Sequence, residues 1–222
     1  MEFSELKEII NNEPNVFIVT HKNPDGDAMG SSLGLYNYLL KKGANVTVVA
    51  PTEYPFFLNW IAGNDEVKVW GKNTSYINKS AQEADLLFCL DFNALHRIDE
   101  VGEIVSKASG KKIMIDHHQE PDSFADYMIS DTSACSTAEM IYEFIENLGD
   151  KKLIDSDIGE ALYCGIITDT GSFKFPATTS KTHRIAADLM DKGIDHTIVH
   201  RRIYDSNTPA RLKLLGHCLS NM

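Results

Sequence analysis

The sequence predicts an α/β fold: a parallel sheet with helices on both faces. Two observations carry that reading. Four short runs are apolar almost throughout rather than alternating, as strands buried on both faces should be. Amphipathic helical patterns lie between them, which is how parallel strands are connected. Among the 222 residues there is no internal repeat, no low-complexity segment and no long Pro/Gly/Ser linker.

Asn15 to Thr20 (NVFIVT) reads as the first buried strand. Ala28 to Lys42 follows as a helix, with Leu33, Leu35, Leu39 and Leu40 on its apolar side and Gly43 as its stop. Asn45 to Ala50 (NVTVVA) is a second strand, Asp85 to Leu90 (DLLFCL) a third and Lys111 to Ile115 (KKIMI) a fourth, with a helix expected over Ile98 to Ser109. Between the second and third strands, Phe56, Phe57, Leu58, Trp60 and Ile61 form an apolar stripe that suits the core or a helix–helix contact, with a dimer surface as the alternative. Helical patterns recur over Thr137–Leu148, Asp157–Ile167 and Ser180–Lys192, the last closed by Gly193. From about His200 to Met222 the pattern is again amphipathic and helical, with Pro209 near one start.

Bulk properties narrow the function. With 43% hydrophobic and 24% charged residues, the composition is that of a globular protein with a real core. No apolar run approaches the ~20 residues that span a bilayer, and the acidic, amphipathic first residues do not resemble a signal peptide, so no membrane contact and a cytoplasmic location are expected. Cys89, Cys135, Cys164 and Cys218 are scattered without a CxxC pair, which argues against a disulfide framework or a thiolate zinc site. A net charge of −11 argues against holding long duplex nucleic acid by counterion release. It leaves room for a small phosphorylated substrate, because bound divalent cations reverse the potential of an acidic cleft.

The acids and histidines fall in a pattern. The first strand runs into His21-Lys-Asn-Pro-Asp25-Gly-Asp27, the third ends at Asp91, the fourth at Asp116-His117-His118, and the run Ala161–Ile167 ends at Thr168-Asp169-Thr170-Gly171. In an open α/β sheet the carboxyl ends of neighbouring strands converge on one crevice. Asp25, Asp27, Asp91 and Asp169 gathered there would repel, and two divalent cations would offset their four charges. Carboxylates mixed with imidazoles suit manganese, magnesium, iron or cobalt better than structural zinc. In an extended chain Asp25 and Asp27 project to the same side, each able to serve a different ion. Each element also has a plainer reading: Asp27 as a helix N-cap, His117 and His118 as polar loop residues, Asp169 as a turn former.

In order, HKNPDGDAMGSSLGL, DFNALHR, the DHH triplet at Asp116–His118 and GIITDTGSF resemble the four motifs of the DHH phosphoesterase superfamily, over roughly residues 15 to 205. That superfamily contains RecJ-like exonucleases, nano-RNases that are also pAp phosphatases, cyclic-dinucleotide phosphodiesterases, exopolyphosphatase-like proteins and family II pyrophosphatases. The resemblance implies a DHH-type catalytic domain with two divalent cations, manganese first and magnesium or cobalt as alternatives. His21 and Asp25 would hold one ion and Asp27, His117 and Asp169 the other, with Asp91 between them. His118 would donate a hydrogen bond to the substrate phosphate, Asp116 would orient a histidine, and the nucleophile would be a hydroxide bridging the ions. Arg97, shortly after Asp91, is a candidate substrate contact, with a surface ion pair as the alternative.

The nano-RNase/pAp phosphatase branch is nearest in look, which implies hydrolysis of short oligoribonucleotides or 3′-phosphoadenosine 5′-phosphate. Cyclic-dinucleotide and polyphosphate or pyrophosphate hydrolysis are the alternatives within the same chemistry, and a non-catalytic nucleotide- or metal-sensing module is the alternative outside it. A homodimer is compatible with the sequence. No glycine-rich, histidine-bearing stretch follows Asp169, so residues 1–200 are expected to form the catalytic domain and 201–222 a helical linker toward a substrate-binding domain outside this chain.

Overall fold

The structure, a computed structural model, describes residues 3–221. In chain order its elements are α1 (Phe3–Asn11), β1 (Asn15–Thr20), α2 (Gly26–Lys41), β2 (Asn45–Ala50), β3 (Lys68–Val69), α3 (Thr74–Glu83), β4 (Leu86–Leu90), α4 (Val101–Lys107), β5 (Lys111–Asp116), β6 (Tyr127–Ser130), α5 (Thr137–Asn147), α6 (Ser156–Asp169), α7 (Ser180–Asp191), α8 (His196–Tyr204) and α9 (Pro209–Ser220). The six strands form one sheet in the order β3-β2-β1-β4-β5-β6, every pair parallel.

Strand alternation divides the core. Val16 and Ile18 of β1, Leu86, Phe88 and Leu90 of β4 and Ile113 and Ile115 of β5 face α1, α2, α5 and α6. Phe17, Val19, Leu87, Cys89 and Met114 face the opposite way, onto α3 and α4. Both faces are covered, which is why these strands are apolar at successive positions. After β1 the chain builds β2 and β3 on one side, then returns to lay β4, β5 and β6 on the other. The order therefore reverses between β1 and β4, and a crevice opens beyond their carboxyl ends.

One helix contact positions the elements around that crevice. Gly26, Gly30 and Gly34 of α2, four residues apart, lie along α6 at Thr168, at Ala161 and Gly165, and at Leu162. At Gly30 a β-carbon would stand 2.4 Å from the Ala161 carbonyl oxygen and 2.8 Å from the Gly165 nitrogen. Both obstacles are backbone, so the two helices approach as closely as they do because no side chain intervenes. At the other end of α2, the Lys42 ammonium (3.0 Å) and the Tyr38 hydroxyl (2.8 Å) both donate to Asp150 Oδ2 beyond α5. Burial opposes the Asp150 charge, but these two donors outweigh it and hold the carboxyl below its usual range.

The expected strands form, with Asp85 just outside β4. The helix expected over Ile98–Ser109 is shorter: a 3-10 turn occupies Leu95–Ile98, Asp99 takes φ +47, and α4 starts only at Val101. The sequence reading did not set out α3, β3 or β6, which are short or only half-buried. The apolar stripe after β2 divides: Leu58 and Ile61 are buried, Phe57 and Trp60 pack on the core and Phe56 is exposed. Residue 200, where the catalytic domain was expected to end, lies inside α8, which buries Val199 and sets the Tyr204 hydroxyl on the Ile167 carbonyl of α6 at 2.7 Å. In α9, Leu212, Leu214, Leu215 and Leu219 are exposed. Among the described residues, no helix is long and apolar enough to cross a membrane.

Gly30→Ala should lower stability by ~1–3 kcal/mol, the usual cost of overpacking, read as a shift in denaturant midpoint. Gly216→Ala on α9, where a β-carbon meets nothing within 4 Å, should be neutral or stabilising. Equal effects of the two substitutions would contradict the packing argument.

Candidate metal centre

Each acidic or imidazole group of the crevice is held by local structure. After β1 the chain turns through Asn23 at φ +51, and the Lys22 amide donates to the Arg97 carbonyl at 3.0 Å. His21 lies in this turn with Nδ1 2.8 Å from the Lys22 carbonyl oxygen, an acceptor, so the proton sits on Nδ1. Asp25 caps α2: its Oδ1 accepts from the amides of Asp27 (2.9 Å) and Ala28 (3.0 Å), leaving Oδ2 for the crevice. The cap is thus Asp25 rather than Asp27. Nor do the two carboxylates project side by side from extended chain, because Asp27 already belongs to the first turn of α2.

Asp27 is fully buried. Its carboxylate accepts from the amides of Thr137 (2.6 Å) and Ala138 (2.9 Å), the first residues of α5, so a helix N-terminus faces the anion. Asp91 follows β4 with φ +65, a left-handed conformation that costs a non-glycine residue about 1–2 kcal/mol. Its Oδ1 also accepts from the Thr137 hydroxyl at 2.9 Å. Asp116 ends β5, buried, and accepts from His118 through the backbone amide (3.1 Å) and ring Nδ1 (2.7 Å). Asp169 is the last residue of α6.

The side chains converge. His21 Nε2 is 3.3 Å from Asp91 Oδ2, while His117 Nε2 is 3.6 Å from Asp91 Oδ1, 3.3 Å from Asp169 Oδ2 and 3.9 Å from Asp27 Oδ2. The two Asp91 oxygens therefore point to different imidazoles. Three groupings have donor atoms within 4.8 Å of one another: His21 with Asp25 and Asp91, Asp27 with His117 and Asp169, and Asp91 with His117 and His118. In the third, the His118 Nδ1 is already committed to Asp116.

This donor set fits divalent cations. With its Nδ1 proton donated to a carbonyl, neutral His21 turns a bare lone pair on Nε2 toward a carboxylate oxygen, and two acceptors at 3.3 Å repel unless a cation or a proton lies between them. The ligands are oxygen and imidazole nitrogen, with no thiolate, as hard or borderline divalent ions require. Without ions the cluster must take up protons. Burial first, then the charge of Asp91, lifts the Asp169 carboxyl to about 6. Burial, then Asp91, Asp169 and Asp25, lifts Asp27 well above the carboxylate range. Asp91 moves the other way: burial opposes its charge, but His21, His117 and His118 outweigh burial and lower it. His118 is raised chiefly by its bond to Asp116, and His21 by Asp91 against the opposing effect of burial.

The structure gathers His21, Asp25, Asp27, Asp91, His117 and Asp169, with Asp116 behind His118. Arg97, in the 3-10 turn before α4, is half-buried, close enough to weaken the charging of His118, and has no ion-pair partner among the described residues. Sequence reasoning missed Thr137, whose amide and hydroxyl bind Asp27 and Asp91 at once. The signal was Ser136-Thr-Ala-Glu139, an N-terminal capping pattern that marks a helix start whose free amides need an acceptor.

Comparison with known proteins fits this geometry. Residues 15–166 match the model of the DHH family, N-terminal domain. The chain is 31% identical over 210 residues to the bifunctional oligoribonuclease and PAP phosphatase NrnA of Thermus thermophilus, covering 95% of this chain and 60% of that one. It is 31% identical to the protein of the same name from Bacillus subtilis, covering 99% of this chain and 66% of the relative. A crystal structure of an exopolyphosphatase-related protein from Bacteroides fragilis superposes with a TM-score of 0.96 at 37% identity, over 99% of this chain and 64% of that one. The chain thus spans about two thirds or less of the length of each relative.

The raised carboxyls give a pH signature in ion-free protein. The Asp169 carboxyl titrates near 3.8 when unfolded and about 6 when folded. Between those values the folded chain holds a proton that the unfolded chain has released, so this group's stabilisation is full at low pH and lost as pH rises. In EDTA, the Tm of Asp169→Asn relative to the parent should therefore rise as pH goes from about 4.5 to about 7. Manganese should reverse the ranking by stabilising the parent more than the variant. A Tm difference that ignores both pH and manganese would remove Asp169 from the centre.

Proposed function

We propose, from the premise that this chain belongs to the DHH family, that it is the catalytic part of a divalent-metal-dependent phosphoesterase acting on short oligoribonucleotides and on 3′-phosphoadenosine 5′-phosphate. The observation that carries the reading is the placement of Asp91 between two imidazoles, one carboxylate oxygen toward each, with Asp25 beside His21 and with Asp27 and Asp169 beside His117. That arrangement supports two ion positions sharing one carboxylate. The substrate class is taken from the similar NrnA proteins. The same reading keeps the catalytic unit of residues 1–200, extended by the rest of α8 to Tyr204, with the remaining residues to 222 as a helical linker, working in the cytoplasm with manganese as the preferred ion.

His21 and Asp25 would hold one ion, and Asp27, His117 and Asp169 the other, with Asp91 common to both. Such a pair supplies charge neutralisation, polarisation of the phosphoryl group and acidification of the attacking water. The remaining roles fall to the protein. Asp116 accepts the Nδ1 proton of His118 and fixes the ring, leaving Nε2 as its free nitrogen. Protonated on Nε2, the ring can donate to a phosphoryl oxygen that gains charge as the ester breaks. Arg97, unpaired among the described residues and near His118, would bind a second phosphate oxygen. Thr137 holds Asp91 and Asp27 at fixed separation.

Turnover with manganese, read as phosphate release for pAp, pyrophosphate and polyphosphate and as nucleotide products separated by chromatography for a diribonucleotide and cyclic di-AMP, should favour pAp and the diribonucleotide over the other three. Turnover confined to pyrophosphate or polyphosphate would overturn the substrate assignment. Asp91→Ala should abolish turnover and lower bound manganese measured by elemental analysis. His118→Ala should retain the metal while losing ~10²–10³ in kcat, the usual cost of one such donor. Loss of the ions on removing His118 would make it a ligand instead.

A further inference from the structure

A cleft of about 530 Å³ opens beside the cluster, within the usual ~300–1,000 Å³ range of small-molecule sites. It shares a wall with the metal centre, since Asp25 and Asp169 both line it. Away from those carboxylates its lining changes character, to Pro24, Tyr54, Pro55, Phe57 and Ile203. Its walls come from the turn after β1, the loop after β2 and α8. The cleft therefore has a charged end and an aromatic end, the polarity of a nucleotide.

The aromatic end is built rather than loose. The Tyr54 hydroxyl donates to Asn64 Oδ1 at 2.9 Å, which fixes the ring plane. Phe57 packs on the core and meets Phe56 edge-on, with centroids 6.4 Å apart. The Asn23 amide donates to Thr52 Oγ1 at 2.7 Å and ties the two loop walls together. Its polar side chains are largely spent: the Thr168 hydroxyl donates to the Cys164 carbonyl at 2.9 Å, and Glu53 is paired with Lys72. Rings are on offer, and groups able to read a base edge are scarce.

We infer that this cleft is a nucleobase subsite, in which a base stacks between Tyr54 and Phe57 while the phosphate of the same nucleotide reaches the Asp25–Asp169 side of the centre. The inference rests on the phosphoesterase reading and deepens it. Because recognition uses the π-face rather than hydrogen bonds to the base edge, the subsite accepts all four bases, as degradation of mixed short RNA requires.

The test compares a diribonucleotide with its abasic counterpart. Removing the base should raise KM ~10-fold or more in the parent protein, the fold-change that one stacked base commonly provides. Tyr54→Ala should raise KM for the diribonucleotide by a similar factor, with kcat and manganese content near parental and the abasic substrate unaffected. Tyr54→Phe, which keeps the ring, should restore KM. Equal KM values for the two substrates in the parent, or equal losses on both in Tyr54→Ala, would overturn the subsite. If the parent cleaves neither, phosphoesterase activity of this chain by itself fails and binding decides the subsite separately. Saturation-transfer NMR with AMP should then show contact to the adenine protons in the parent and none in Tyr54→Ala, and absence of that contact in the parent would refute the subsite.

Discussion

Asp27 is where the elements around the crevice meet. It belongs to α2, accepts two amides from the start of α5, and its Oδ1 lies 2.6 Å from where a β-carbon on Gly165 of α6 would stand. Burying a carboxylate at an interface of three helices is costly unless the charge is compensated. Part of the compensation is local, in the two amides of a helix N-terminus. The rest is opposed by Asp91, Asp169 and Asp25, all of which raise the cost of ionising Asp27. The position is therefore incomplete by itself. Cations held at the centre, as proposed, would restore that balance.

The helices are arranged so that this balance can be set. The α2–α6 approach depends on glycines, and it brings Asp169, at the end of α6, beside Asp27 at the start of α2. The carbonyl end of α6 adds negative potential where Asp169 already adds a charge. Both effects disfavour the empty fold and favour a cation. Asp91 adds strain to repulsion, since its left-handed backbone turns a carboxylate at a strand end sideways between His21 and His117. An outlier at the residue that faces both imidazoles is strain stored where it aims one carboxylate oxygen toward each.

Much of this was legible in the sequence, for identifiable reasons. Strands β1, β4 and β5 are apolar at consecutive positions, so they could be located, and each is followed directly by a residue of the cluster (His21, Asp91 and His117). Their adjacency could not be read: it comes from the return of the chain past β1 to place β4 beside it. The second role of Asp25, capping α2 while offering its other oxygen, was obscured because Asp27 also precedes a helical run. Thr137 was hidden because its importance lies in contacts with residues 46 and 110 positions away. Phe57 belongs to a stripe that the sequence assigns to the core or a helix–helix contact, and nothing in the sequence singles out Tyr54. Only the fold shows that this loop faces the turn carrying Asp25.

The overall charge sets the scale of substrate that this architecture favours. A chain of net charge −11 repels a polyanion at long range, and bound cations offset that only nearby. At physiological salt the attraction of an ion pair fades over about 8 Å. Under the proposed function, a mononucleotide or dinucleotide would keep its phosphates within that distance of the centre while its base occupied the aromatic end of the cleft. A long nucleic acid would carry most of its phosphates past this radius, onto a surface of the same sign. The acidic composition is thus compatible with the proposed phosphate chemistry and would favour short substrates, with attraction concentrated in the ions and the remaining affinity coming from stacking rather than charge.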